Sequence, residues 1–126
     1  MFKLAVVGSR NLADYLLVEK TLDAYYFIHG NDLEIVSGGA KGADSLAARY
    51  AQENDLKLHV FLPEWNKYGK SAGFRRNTLI WDISDAGVAF WDGVSKGTSH
   101  SFDIAKSQGK ELEIVEFTPT DMKYTT

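Results

Sequence analysis

Residues 33–51, LEIVSGGAKGADSLAARYA, change their hydrophobic pattern once, at a cluster of glycines. The first part, 33–39, is apolar up to the glycines and predicts a strand. The second part carries an apolar stripe at helical spacing, formed by Ala43, Leu46, Ala47, Tyr50 and Ala51. A strand that turns through glycines into a helix is the repeating unit of a parallel α/β sheet.

The same alternation extends over most of the chain. Apolar runs predict strands at 2–8, 33–39, 56–63, 86–93 and 110–117. Helical spacing occurs at 12–28, from 43 onwards, over about ten residues around Thr78–Ile83, and at 97–108. These elements predict an α/β fold: a three-layer Rossmann-like domain with a five-stranded, mainly parallel sheet in the order 3-2-1-4-5. We expect one domain over residues 1–118 and a loose C-terminal tail at 119–126.

Composition limits the classes of partner. The 126-residue chain has a formal net charge of −3 and no run of lysine or arginine. Proteins that bind long nucleic acids usually present a basic face, so we expect a small anion as ligand and consider nucleic acid an unlikely partner. The sequence contains no cysteine, its histidines (His29, His59 and His100) have no ligand spacing, and no stretch is long enough to span a membrane. We therefore expect a cytoplasmic protein without a metal or a cofactor.

Glycine-rich loops follow three of the predicted strands, at residues 8–10, 38–44 and 92–98. In the predicted sheet, ligands bind beyond the carboxyl ends of the strands where the strand order reverses, and these loops lie there. Glycine allows a ligand close to the backbone, and helix N-termini offer free N–H groups to a phosphate. The spacing matches neither the P-loop nor the G-x-G-x-x-G motif. The glycines could also serve steric needs alone, with Asp44 as a helix cap.

Four blocks of the chain resemble the YspA-like branch of the SLOG superfamily, which is named after Smf/DprA proteins and the Lonely Guy enzymes. The blocks are VVGSRN, SGGAKGADSLAARYA, PEWNKYGKSAGFRRN and FWDGVSKGTSHSFDIAK, and they span about residues 4–108. The resemblance implies a Rossmann-like fold that binds nucleotides or their derivatives, and relatives of this kind often form dimers.

Lonely Guy enzymes cleave the bond between a base and ribose 5′-monophosphate. Their arginine corresponds to Arg75 or Arg76, whereas the position of their glutamate is occupied by Ser101. Serine cannot replace a carboxylate in this chemistry, and Asp92 or Asp44 is the better-placed substitute. Whether the chain is an enzyme stays open, with Arg76 and Asp92 as tentative catalytic residues.

The segment 64–77 adds aromatic and cationic side chains. Trp65 and Tyr68 either stack on a base or cover a sheet edge or a subunit contact. Two arginines at a helix start oppose the helix dipole, which favours a bound anion near Arg75 and Arg76. We expect Trp81 and Trp91 in the core or an interface, and His100 exposed on a helix.

The sequence thus predicts a homodimeric protein that binds a small nucleotide-like ligand, such as ADP-ribose or a nucleoside phosphate, as a sensor, sequestering protein or processing domain. The alternatives are a nucleotide hydrolase of Lonely Guy type and, less in keeping with the charge, a DNA-binding protein. The predicted ligand-binding residues are Gly8, Ser9, Arg10, Ser37, Gly38, Gly39, Ala40, Lys41, Gly42, Asp44, Trp65, Tyr68, Arg75, Arg76, Asn77, Asp92, Gly93, Ser95, Lys96, Gly97 and Thr98.

Overall fold

The computed structural model describes residues 1–119. Five strands form one fully parallel sheet in the order β3-β2-β1-β4-β5. The strands are β1 (Phe2–Gly8), β2 (Leu33–Ser37), β3 (Lys57–Val60), β4 (Ala86–Trp91) and β5 (Glu111–Glu116). The predicted fold class and strand order are confirmed.

Helices cover both faces of the sheet. They are α1 (Tyr15–His29), α2 (Ala43–Glu53), the short α3 (Trp65–Tyr68), α4 (Ala72–Ile83) and α5 (Lys96–Ser107), with single 3-10 turns at Gly30–Asp32 and Gly69–Ser71. Side chains of α1 and α2 pack against one face, and those of α4 and α5 pack against the other.

The central strand β1 explains why its sequence is apolar without alternation. Leu4 and Val6 face α1 and α2, whereas Ala5 and Val7 face α4 and α5, and all four are buried. A strand that is covered on both faces needs apolar residues at every position.

On the second face, Trp81 of α4 is fully buried over the sheet. Its ring occupies the space that a side chain at Gly87 would need. Gly87 in β4 is therefore required by the close approach of α4. Trp81 lies in the core as predicted, and Trp91 is half-buried with its ring edge-on to Phe102.

Several element boundaries differ from the predicted ones. Helix α1 begins at Tyr15 rather than at residue 12, because the Asp14 side chain caps it by accepting the Leu17 N–H at 3.2 Å. Leu12 is nevertheless buried, from the preceding loop. Strands β2 and β4 end at Ser37 and Trp91, before the glycines, and β3 is shorter than the predicted 56–63.

No helix within residues 1–119 is both long and apolar enough to cross a membrane. Apart from Pro119, the predicted C-terminal tail at 119–126 lies outside the described residues.

Candidate functional site

The loops after β1, β2 and β4 meet at the carboxyl edge of the sheet, because these three strands are neighbours. Together with α4 they surround a cleft of about 410 Å³. The cleft is lined by Val7, Gly8, Ser9, Arg10, Asn11, Ala40, Asp44, Arg76, Asn77, Ile80, Asp92, Ser95, Lys96, Gly97, Thr98 and Ser101.

Two glycines permit this convergence. Gly42 has φ +70°, and a Cβ there would collide with the backbone of Ser9 and Arg10. A Cβ on Gly8 would lie 2.6 Å from both the Ala43 Cβ and the Phe90 carbonyl oxygen. The glycines therefore let the three loops pack backbone to backbone.

Ser9 is almost completely buried at the junction of these loops. Its N–H donates to the Phe90 carbonyl at 2.9 Å, and its own carbonyl accepts the Ala43 N–H at 3.2 Å. Its hydroxyl oxygen accepts the Asp92 N–H at 3.1 Å. Ser9 thus ties β4 and α2 to the end of β1, in addition to lining the cleft.

The Asp92 carboxylate organises the loop between β4 and α5. One oxygen accepts the N–H groups of Val94 (3.0 Å) and Ser95 (2.8 Å). The other accepts the Ser95 hydroxyl (2.9 Å) and the Asn11 side-chain amide (3.2 Å). Burial alone would raise the pKa of Asp92, but these hydrogen bonds lower it to about 2. The carboxylate is fixed as an anion with its acceptor positions in use, which suits a loop organiser better than a proton donor.

Arg76 projects from α4 towards the glycine loop after β2. Its Nη1 donates to the Gly38 carbonyl at 2.6 Å and its Nε to the Asn77 side chain at 3.0 Å. The guanidinium occupies the space that a side chain at Gly38 would need. Burial, together with the nearby Arg10, lowers the pKa of Arg76, and the Asp44 carboxylate opposes this shift. A partly desolvated cation beside a second cation is a favourable place for an anion.

Asp44 lies in the first turn of α2 and is also buried. Burial raises the pKa of its carboxyl, against the Ala40 N–H that it accepts at 3.0 Å and the charge of Arg76. The two acidic residues that line the cleft, Asp44 and Asp92, thus accept hydrogen bonds from the protein itself. The lining also holds three cationic side chains, so its formal charge is positive: Arg10, Arg76 and Lys96.

The N-terminus of α5 forms another wall of the cleft. Its N-cap residue, Ser95, makes no side-chain capping bond, because its hydroxyl donates to Asp92 instead. The first N–H groups of α5, at Lys96–Thr98, therefore lack the usual side-chain acceptor. Thr98 and Ser101 place hydroxyl groups one turn apart along the same wall. This end of the cleft offers donors to an anion.

The structure brings twelve of the predicted ligand-binding residues into the cleft and leaves nine outside it. The twelve are Gly8, Ser9, Arg10, Ala40, Asp44, Arg76, Asn77, Asp92, Ser95, Lys96, Gly97 and Thr98. Those that do not line it are Ser37, Gly38, Gly39, Lys41, Gly42, Trp65, Tyr68, Arg75 and Gly93. Gly38 and Gly42 still shape the cleft, through Arg76 and through Ser9.

The site-residue prediction omitted four lining residues: Val7, Asn11, Ile80 and Ser101. Asn11 follows the first glycine loop directly, and its bond to Asp92 joins positions 81 residues apart, which no local pattern signals. Ser101 lies one helical turn after Thr98, and that spacing could have indicated it. Val7 and Ile80 belong to apolar runs that predict only core.

A second group of residues lies beside the cleft, and we call it the Trp65 surface: the predicted Trp65, Tyr68 and Arg75 together with Lys67 and Lys70, which were not predicted. Trp65 is 53% exposed. The Arg75 guanidinium carbon lies 4.3 Å from the centre of the Tyr68 ring, and the Lys67 ammonium lies 5.1 Å from it. His100, predicted as exposed, is instead half-buried against the Phe74 ring, with centroids 4.2 Å apart.

Charge is distributed unevenly between this edge and the rest of the sequence. Residues 8–14, 37–44, 61–77 and 91–98 hold seven of the fourteen lysines and arginines but only four of the seventeen acidic residues. Their formal charge is therefore +3, and the rest of the sequence carries −6. The acidic total conceals a basic edge around the cleft.

Comparison with known proteins identifies related chains. The model of the YspA, cpYpsA-related SLOG family (YAcAr) matches residues 2–68. The gene 61 protein of Mycobacterium phage D29 is 32% identical over 123 residues, which cover 93% of this chain and 97% of that protein. The resemblance to the SLOG superfamily is confirmed.

Two solved structures share the fold. One is DNA processing protein A from Helicobacter pylori, described for its unique single-stranded DNA binding mode (TM-score 0.69, 22% identity, 96% of this chain). The other is DNA processing protein A (DprA) from Streptococcus pneumoniae (TM-score 0.72, 23% identity, 97% of this chain). This chain spans 66% and 52% of their lengths.

These matches overturn two predictions. The predicted function, binding or hydrolysis of a small nucleotide-like ligand, is wrong. Two solved structures that share the fold are DNA processing proteins, and one of them is described by its binding of single-stranded DNA. The expectation that nucleic acid is an unlikely partner is wrong for the same reason. It rested on the net charge of −3, which averages over the basic edge and the acidic remainder.

Proposed function

The chain belongs to the YspA, cpYpsA-related SLOG family, and from this membership and its fold we propose that it binds single-stranded DNA, with one backbone phosphate of the strand in the cleft. Arg76 is the central contact, Arg10 and Lys96 approach the phosphate from the neighbouring loops, and the first N–H groups of α5 complete the donor set.

The observation that carries this proposal is the environment of Arg76. Two of its N–H groups hold Gly38 and Asn77, and the remaining ones have no hydrogen-bond partner within residues 1–119 and can bind a phosphate. Since its pKa is already lowered by burial, with Arg10 adding to the shift, a phosphate in the cleft would relieve an unfavourable concentration of positive charge.

The likeness to DNA processing protein A supports the choice of a DNA strand as the ligand. The distribution of charge supports it as well, because phosphate neutralisation depends on the local basic edge and not on the net charge.

The test is fluorescence anisotropy with a labelled oligothymidylate and with a duplex of equal length. We expect the wild-type protein to bind the single strand and release it as salt rises. Arg76→Ala should weaken binding about tenfold or more, because charge-assisted hydrogen bonds contribute about 1.5–3 kcal/mol. Arg76→Lys keeps the positive charge but loses the planar set of N–H donors. Its affinity for the single strand should lie between those of the wild-type protein and Arg76→Ala.

Lys96→Ala and Lys106→Ala form a matched pair at opposite ends of α5. Only Lys96→Ala should weaken binding. Absence of binding at low salt, a preference for the duplex, or equal effects of the two lysine variants would contradict the proposal.

We also propose, as the sequence predicts, that the protein is a homodimer and that it is cytoplasmic. Helix α1 supports the homodimer, because Leu16 and Phe27 lie three turns apart on one face and are 72% and 91% exposed. Sedimentation velocity of the wild-type protein and of Phe27→Glu measures the oligomeric state, and fractionation of host cells measures the location.

A further inference from the structure

We propose that the Trp65 surface is a second contact for the DNA strand: Trp65 stacks on a base while Arg75 binds a phosphate next to the one in the cleft. This inference rests on the proposed function. It assigns a role to residues that lie outside the cleft. The proposed contacts in the cleft involve only a phosphate, whereas Trp65 would contact a base of the strand.

Trp65 has an exposed indole that the fold does not bury. The Cη2 atom at the edge of the ring lies near the first turn of α4, where a Cβ on Gly73 would be 3.6 Å away from it. The side chain keeps 53% of its surface accessible, in contrast to the fully buried Trp81. A tryptophan that contacts a helix through the edge of its ring and keeps half of its surface accessible can offer aromatic surface to a base.

Tyr68 holds a different position and does not stack on the strand. Its ring already contacts two cations, Arg75 at 4.3 Å and Lys67 at 5.1 Å. The Arg75 Nε also donates to the Ser71 hydroxyl at 3.0 Å. Tyr68 and Ser71 therefore hold the exposed Arg75 in one orientation, which lowers the entropy that it loses on binding a phosphate.

The Trp65 surface is continuous with the cleft through α4. Arg75 and Arg76 are consecutive, and consecutive side chains on a helix point about 100° apart. Arg76 turns into the cleft while Arg75 faces Tyr68. Residues 63–77 carry two lysines and two arginines against the single acid Glu64, so a strand leaving the cleft meets further positive charge.

The experiment compares an oligothymidylate with a strand of equal length whose sugars lack bases, both measured by fluorescence anisotropy. Wild-type protein should bind the base-bearing strand about tenfold or more tightly than the abasic one, as expected for at least one stacked base. Trp65→Ala should remove that preference by weakening only the oligothymidylate. Trp65→Phe should retain most of it. Ile114→Ala is the control for loss of an exposed apolar side chain elsewhere, because Ile114 lies on β5 and is 45% exposed.

Arg75→Gln should weaken the binding of both strands equally. The slope of the logarithm of the binding constant against the logarithm of the salt concentration should become shallower by about one. Tryptophan emission gives a second readout, because a stacked base should quench Trp65 and the abasic strand should not.

The outcomes separate the two proposals. Equal wild-type affinity for both strands, or a base preference that survives Trp65→Ala, overturns the role of Trp65 while phosphate binding in the cleft stands. An Arg75→Gln variant with unchanged affinity overturns the second phosphate contact. Failure of the wild-type protein to bind either strand overturns both proposals.

Discussion

Ser9 connects three loops with three hydrogen bonds, two through its backbone and one through its hydroxyl. Ser9 is among the predicted ligand-binding residues because it lies in the first glycine-rich loop, at residues 8–10. In the structure its hydroxyl oxygen accepts the N–H of Asp92, 83 residues away. The sequence located the residue at the cleft, but the partner of a buried hydroxyl depends on the packed loops and is not encoded in local spacing.

The hydrogen bonds of one further residue, Asp92, predict how the stability of the protein depends on pH. Because the pKa of Asp92 is lowered to about 2 in the folded protein, its contribution to the free energy of unfolding is fully present above about pH 4, the usual range of an aspartate. As pH falls from about 4 to 2, the unfolded state takes up the proton first and this contribution is lost. Urea denaturation across that range should show a shallower fall in stability for Asp92→Asn than for the wild type.

Asp103→Asn is the control for the Asp92 prediction, since Asp103 is exposed on α5. The difference between the pH profiles of Asp92→Asn and Asp103→Asn isolates the effect of the hydrogen bonds around Asp92 from the loss of one negative charge. Parallel profiles for the wild type and Asp92→Asn would show that the hydrogen bonds around Asp92 do not favour its ionised form.

At the scale of the elements, the order of strands and helices was predictable and their ends were less so. Strands β1 and β4 are continuous apolar runs because both of their faces are covered. Ends depend on individual contacts: Asp14 begins α1 three residues later than the spacing suggested, and Leu12 is buried without being helical. The short α3 was not predicted, because four residues are too few for a periodic pattern.

The glycine loop before α2 provides a prediction at this scale. Gly42→Ala should destabilise the protein by more than about 1 kcal/mol, because φ is +70° and the new Cβ would collide with the backbone of Ser9 and Arg10. Gly97→Ala is the matched change, since Gly97 lies in the first turn of α5 with open space around its Cα. It should be neutral or stabilise the fold by up to about 1 kcal/mol.

Thermal and urea unfolding of the two glycine variants measure the difference. If both alanines were tolerated equally, the close packing of the first and second loops would not be a requirement of the fold.

At the scale of the whole molecule, the net charge misled the prediction of partners. A value of −3 suggested a protein that avoids nucleic acid, yet the sequence stretches around the cleft sum to +3. Composition has no spatial resolution, and only the parallel topology brings Arg10, Arg76 and Lys96 to the same edge. Once a fold is inferred from periodicity, charge is better counted edge by edge, because screening confines its effect to about 8 Å at physiological salt.

Two charge reversals test whether local or net charge controls DNA binding. Glu111 begins β5 opposite Ala86, five residues along the sheet from Trp91 at the cleft end of β4, or roughly 16 Å. Glu111→Lys raises the net charge from −3 to −1, yet it should leave affinity for an oligothymidylate unchanged at physiological salt, since the distance exceeds the screening length. Lys96→Glu lowers the net charge to −5 and should abolish binding under the same conditions.

Anisotropy titrations of both variants at two salt concentrations distinguish local from net charge. A gain in affinity for Glu111→Lys at physiological salt, comparable in size to the loss for Lys96→Glu, would show that the molecule attracts DNA through its total charge and that the cleft has no special part in binding.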